Sequence, residues 1–94
     1  MTAEQTVTGS APTAQRVADV LLAAGLAASL YGARVAVDAG RDGSMYYLTP
    51  TTQLIGAGEV PAVTAERARK GRRDGAFWGE ISEALKRVGI HSWA

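Results

Sequence analysis

The chain has 94 residues, 47% of them hydrophobic and 20% charged, with a net charge of +1. This describes one folded domain with a single modest core, not a disordered segment. The absence of cysteine excludes a disulfide framework, a thiolate metal site and a cysteine nucleophile.

The small net charge hides an asymmetry. Residues 61–94 carry seven of the ten basic side chains against four acidic ones, whereas residues 1–60 carry three against five. An electrostatic partner is therefore expected to meet the C-terminal third. Much of the apolar content is alanine, so large core anchors are few. Such a core is marginally stable and would gain from a bound partner or a second copy, which makes a homodimer an expected state. The most apolar run, Val20 to Ala33, is shorter than the roughly 20 residues of a membrane-spanning helix. Its leader holds Glu4 and Arg16, with Asp19 against its start, unlike a secretory signal. No membrane association is expected, and the cytoplasm is the expected location.

Residues 1–12, "MTAEQTVTGSAP", have no apolar period and read as a flexible polar tail; 13–94 form the domain. Thr13 suits the N-cap of a first helix, in which Val17, Val20, Leu21 and Ala24 make one apolar stripe. Gly25 can end that helix in the left-handed conformation, with Leu26 folding back on it. The segment "LAASLYG" is a possible strand, and 33–39, "ARVAVDA", a clearer one by its period of two. "GRDG" is turn chemistry and "SMYYLTP" suits a pleated surface, so 33–49 is expected to be the central hairpin. Pro50 is expected to stop it. "TTQLIGAG" is then a third strand or an edge segment, and "GAGEVPAV" a connection. Thr64 is expected to cap a short helix, "AERARKGRR". Asp74 is expected to cap the last helix, with a stripe of Phe77, Trp78, Ile81, Leu85 and Val88. Gly89 and Ile90 repeat the Gly25–Leu26 ending. The expected fold is α+β and two-layered: two helices packed on one face of a small, mostly antiparallel sheet.

The basic stretch 67–73, "RARKGRR", is the most conspicuous candidate site. Arg67, Arg69, Lys70, Arg72 and Arg73 are mostly guanidinium groups, which suit phosphate through bidentate hydrogen bonds. Glu66 and Asp74 bracket the cluster, and a charge run is most often solvated surface; an acidic protein is a further possible partner. Glycines at 71, 75 and 79 recur every four residues. Each glycine inside a helix costs about 0.5–1 kcal/mol relative to alanine. The spacing thus reads as a basic loop over 70–75 that feeds a core helix, not as a helix-packing face.

Other motifs fail on their own chemistry. "FWGEISEALKRVGI" loosely matches the start of a helix-turn-helix, but the chain ends before a recognition helix. "DAGRDG" begins like a calcium loop, with Asp38, Asp42 and Gly43 in place; Gly40 and Thr49 stand where ligands are required. "GAGEVP" lacks the Gly-Lys-Ser/Thr ending of a phosphate loop. His91 is the only histidine, and nothing marks Ser29, Ser44, Ser82 or Ser92 as activated. No catalytic set, metal site or cofactor is expected.

What remains is an interaction module. Tyr46 and Tyr47 must point to opposite faces of a strand, so one of them leaves the helix-covered side. The aromatic residues at Tyr31, Tyr46 and Tyr47 support that reading, and Met45, Tyr46 and Tyr47 are the expected contact residues for a protein partner or for self-association. The composition and size suggest a regulatory or accessory protein, including the phage and mobile-element kind. The alternative is sequence-independent nucleic-acid binding through the basic loop.

Overall fold

A computed structural model describes residues 11–39, 43–56, 58–72 and 74–93, apart from the side chain of Asp74. The expected tail, except Ala11 and Pro12, and the expected turn at 40–43, except Gly43, lie outside these residues. The fold is α+β. In chain order it runs α1 (Ala14–Ala23), β1 (Ala27–Tyr31), β2 (Arg34–Asp38), β3 (Met45–Ile55), β4 (Gly58–Arg69), α2 (Asp74–Lys86) and β5 (His91–Trp93). The strands form one sheet in the order β1-β2-β3-β4-β5. The first four are antiparallel neighbours, and β5 returns parallel to β4 after α2.

Local chemistry sets the helix ends. The Thr13 hydroxyl accepts a 3.0 Å hydrogen bond from the Arg16 amide, which satisfies one orphan donor of the first turn. At the other end Gly25 takes φ +86°. The amides of Leu26 and Gly25 donate to the carbonyls of Leu21 and Leu22, both at 3.0 Å. This is a Schellman ending, and α2 repeats it: Gly89 has φ +80°, and Ile90 and Gly89 donate to Leu85 and Lys86. Each ending turns an apolar residue back onto the core and starts a short strand. Leu26 packs against the core cluster and Ile90 belongs to it.

Two-residue turns set the sheet register. Gly32 has φ +62° and no described non-glycine residue has positive φ, so Gly32–Ala33 is a type II′ turn closing the Tyr31–Arg34 pair. Gly56 has the same φ of +62° where Ile55 pairs with Gly58. From that closing pair, hydrogen-bonded and non-hydrogen-bonded rungs alternate. Thr51–Ala62 and Thr49–Thr64 are hydrogen-bonded rungs. Pro50–Val63 and Thr52–Pro61 lie between them, with backbone groups facing out of the hairpin. Neither proline therefore removes a bond within the β3–β4 ladder.

This register corrects three expectations. Pro50 does not stop the strand, which continues to Ile55. Most of "GAGEVPAV" is not a connection, because β4 starts at Gly58. Thr64 caps no helix, because 58–69 is a twelve-residue strand. The helix preference of "AERAR" is worth only tenths of a kcal/mol per residue, and pairing with an eleven-residue β3 outweighs it.

The core gathers side chains from both helices and the first four strands. Val17, Leu21, Val35, Val37, Leu48, Val63, Ile81 and Leu85 are fully buried. Helix α1 packs on β1, β2, β3 and α2, while α2 also packs against β5. Val88, expected in the apolar stripe of α2, is exposed. It lies past Lys86, where the helix has ended and the chain turns away. No helix among the described residues is long and apolar enough to cross a membrane.

Candidate interaction surface

Tyr46 and Tyr47 do part to opposite faces. Tyr46 is buried in the core cluster, 6.0 Å from the Phe77 ring and 5.2 Å from the Trp78 ring. It ties β3 to α2, so this member of the expected contact set packs inside the fold. Tyr47 points the other way, as do Ala36 opposite it on β2 and Glu66 opposite it on β4. Met45 is half-buried at the start of β3.

On that face the Tyr47 ring stacks on Tyr31 of β1, with centroids 5.0 Å apart and planes 14° from parallel. Strands two apart in a sheet are separated by about 10 Å, so the two rings must reach across β2. Ala36 shares the rung of Tyr47, one same-face step from the Tyr31–Arg34 rung, and is buried, although it is not part of the core cluster. Its methyl group leaves room for rings above it. The Arg34 guanidinium sits 4.9 Å from the Tyr47 centroid and 5.8 Å from that of Tyr31, within cation–π range. Its Nη1 donates to Glu66 Oε1 at 3.0 Å. Four consecutive strands thus each supply one member: Tyr31, Arg34, Tyr47 and Glu66. Trp93, in register with Thr64, extends the same face onto β5 and is 38% exposed.

The basic stretch is not one loop. Arg67 and Arg69 belong to β4, and only 70–72 of the described residues follow it before α2. A bulge separates the two arginines, because Tyr46 pairs with Arg67 but Met45 pairs with Arg69. The extra residue, Ala68, flips the alternation, so Arg67 shares the face of Tyr46 and Arg69 that of Tyr47. Arg69 Nη2 there meets Asp38 Oδ2 at 3.2 Å, and its Nε donates to the Gly43 carbonyl. Arg67 also has a bonded or charged neighbour. Lys70 and Arg72 are exposed, and Arg73 lies outside the described residues.

Concave ground lies on the helical side instead. A shallow cleft between α1 and α2 is lined by Ala24, Ala84 and Arg87, and another where α2 meets β5 includes Lys86 and His91. The second also holds Ser82, Glu83 and Ser92, so an acid, a base and hydroxyl groups line it together; the Ser82 hydroxyl donates to the Gly79 carbonyl at 3.3 Å. No group of three or more metal-ligating side chains occurs among the described residues.

Arg34 and Glu66 escaped the sequence reading. The signal for Arg34 was present: "YGAR" is a Gly-X two-residue turn that sets Tyr31 opposite Arg34. Glu66 is 32 residues from Arg34, and only the register of three strands brings them together. Comparison with known proteins adds nothing to this geometry, since no family model, curated protein or solved structure matches the chain.

Proposed function

We propose that the chain is a non-catalytic interaction module that binds another protein through the sheet face bearing Tyr31, Arg34, Tyr47 and Trp93. On this reading the two helices form one layer and the sheet, built around hairpin 34–55, forms the other. The sheet face away from the helices is left to a partner. The observation that carries the reading is the Tyr31–Tyr47 stack with Arg34 over both rings and Glu66 holding the guanidinium. Tyr, Trp and Arg dominate contact hot spots, and rings already stacked lose little side-chain entropy on binding. A small accessory or regulatory role fits a module of this size.

Charge favours a protein over a nucleic acid. Arg34 is paired with Glu66 and Arg69 with Asp38, so the face offers balanced charge where a phosphate backbone would need a positive field. The test places a photo-crosslinking residue at Thr49, exposed on this face, and at Glu83 on α2 as a control, in extract of the source cell. A protein adduct specific to position 49, and lost in Tyr31→Ala/Tyr47→Ala, is expected. Nucleic acid as the specific adduct favours the basic-patch alternative. Equal yields from both positions remove the proposed surface.

A further inference from the structure

The edges of the sheet are not alike. The β3–β4 arm beyond β2 has outward-facing backbone at Pro50 and Thr52 on one side and at Glu59 and Pro61 on the other. A proline on each edge removes an N–H that an added strand would use, a common guard against edge pairing. At the far end of the sheet β5 is only three residues long. Strand β1, "AASLY", has no guard: no proline, no charge and no bulge. Ala27, Ser29, Leu30 and Tyr31 are exposed, so nothing among the described residues covers this edge. Leu30 and Tyr31, 52% and 54% exposed, are among the largest uncovered apolar side chains of the described residues.

We infer that β1 is a self-pairing edge, where a second copy of this chain adds antiparallel across a two-fold axis at Ser29 to make one continuous ten-stranded sheet. This inference rests on the reading of the chain as an interaction module but uses the backbone edge of β1, which shares only Tyr31 with the tyrosine face. The Gly32–Ala33 turn makes Tyr31–Arg34 a hydrogen-bonded rung, so Ser29–Ala36 and Ala27–Asp38 are hydrogen-bonded too. The backbone groups left facing outward are those of Ala28 and Leu30, symmetric about Ser29. The Ala28 amide already donates to the Leu26 carbonyl at 3.1 Å. The Leu30 amide and the Ala28 carbonyl remain, and a two-fold copy matches each to the other twice. Side chains agree with that register. Tyr31 comes opposite Ala27, Leu30 opposite Ala28, and Ser29 opposite itself, so large meets small along the strand and no charge meets a like charge. A foreign strand would need this pattern by coincidence; a second copy has it by symmetry.

The absence of cysteine from the chain makes the test clean. On the axis, Ser29 and its counterpart form a non-hydrogen-bonded pair with Cα atoms about 4.5 Å apart, within disulfide reach. Single Ser29→Cys and Ala27→Cys variants are oxidised mildly at matched concentration. Light scattering follows the wild type and Leu30→Lys from micromolar to submillimolar concentration, with circular dichroism to verify the fold. The expected result is a concentration-dependent dimer, with Ser29→Cys crosslinking about tenfold faster than Ala27→Cys, whose thiols lie at opposite ends of the paired strands. Leu30→Lys should weaken the dimer by about tenfold or more while keeping the fold. A monomer at every concentration with no preferential Ser29→Cys crosslink overturns the inference. So does a dimer indifferent to Leu30→Lys that crosslinks equally at both positions, because it uses another surface. Position-49 adducts to a different protein are scored independently, so this edge and the tyrosine face can fail separately.

Discussion

If the Tyr31–Tyr47–Arg34 stack is a preformed contact surface, its members must support one another in the free protein. A double-mutant cycle on Tyr31→Ala and Tyr47→Ala measures that support. The rings lie 5.0 Å apart and nearly parallel, a geometry worth about 0.5–1.5 kcal/mol beyond burial. Arg34 over both rings adds about 0.5–1 kcal/mol at an exposed site. Its ion pair with Glu66 joins side chains that are 38% and 73% exposed, so solvent screening limits it to about 0.2–1 kcal/mol. Tyr47 is half-buried and Tyr31 more exposed, so Tyr47→Ala should cost more, about 2–3 kcal/mol against about 1–2 for Tyr31→Ala. Urea unfolding of the four proteins gives the coupling, and a 1 kcal/mol change displaces the thermal midpoint by about 4–8 °C at this size. Repeating the cycle near 1 M salt should leave the ring coupling intact while removing most of the Glu66 contribution. A coupling below about 0.3 kcal/mol would mean that the rings do not act together. A loss above about 4 kcal/mol for Tyr47→Ala would place that ring among core residues and remove it from the contact surface.

Three further outcomes follow from burial and register. Ser44 is fully buried and its Oγ has no hydrogen-bond partner among the described residues, so Ser44→Ala should raise stability by up to about 1 kcal/mol in urea unfolding; a loss of that size would show a satisfied hydroxyl. Leu85→Ala should cost about 2–5 kcal/mol because the side chain is fully buried, whereas Leu54→Ala, 71% exposed on the arm, should stay within about 0.5 kcal/mol. Thr52→Pro should be mild and Thr51→Pro should cost about 3 kcal/mol or more, as read by thermal melts, because only Thr51 bonds inward to β4; equal losses would contradict the assigned rungs.

What was legible in the sequence was local. Thr13, Gly25 and Gly89 act within one turn of the chain, so the N-terminus of α1 and the two helix endings could be read from single residues and their neighbours. The separation of Tyr46 from Tyr47 follows from the period of a strand. Which of the two is buried does not, because it depends on where Phe77 and Trp78 of α2 come to lie. Strand β4 was misread because "TAERAR" prefers a helix on its own, and its partner begins some twenty residues earlier. The clue lay in a repeated dipeptide: Gly-Ala stands at 32–33 and again at 56–57, and Gly32 and Gly56 share a φ of +62°. The bulge at Ala68 had no sequence signature, yet it decides where Arg69 points.

That bulge bears on the class of partner. In a regular strand Arg67 and Arg69 would share a face, and with Lys70 and Arg72 they could begin a basic patch. The extra residue instead carries Arg69 to the Tyr47 face, where Asp38 and the Gly43 carbonyl meet its donors. Arg34 is occupied in the same way by Glu66. A phosphate backbone would have to displace these carboxylates before gaining either arginine, and the counterions released would be correspondingly few. On the proposed reading both association surfaces are electrically quiet, one because its charges are paired and the other because β1 has none. Binding through either should therefore change little between about 50 and 200 mM salt, a range over which contact with several phosphates weakens by orders of magnitude. Salt dependence thus separates the two classes of partner before any partner is known by name.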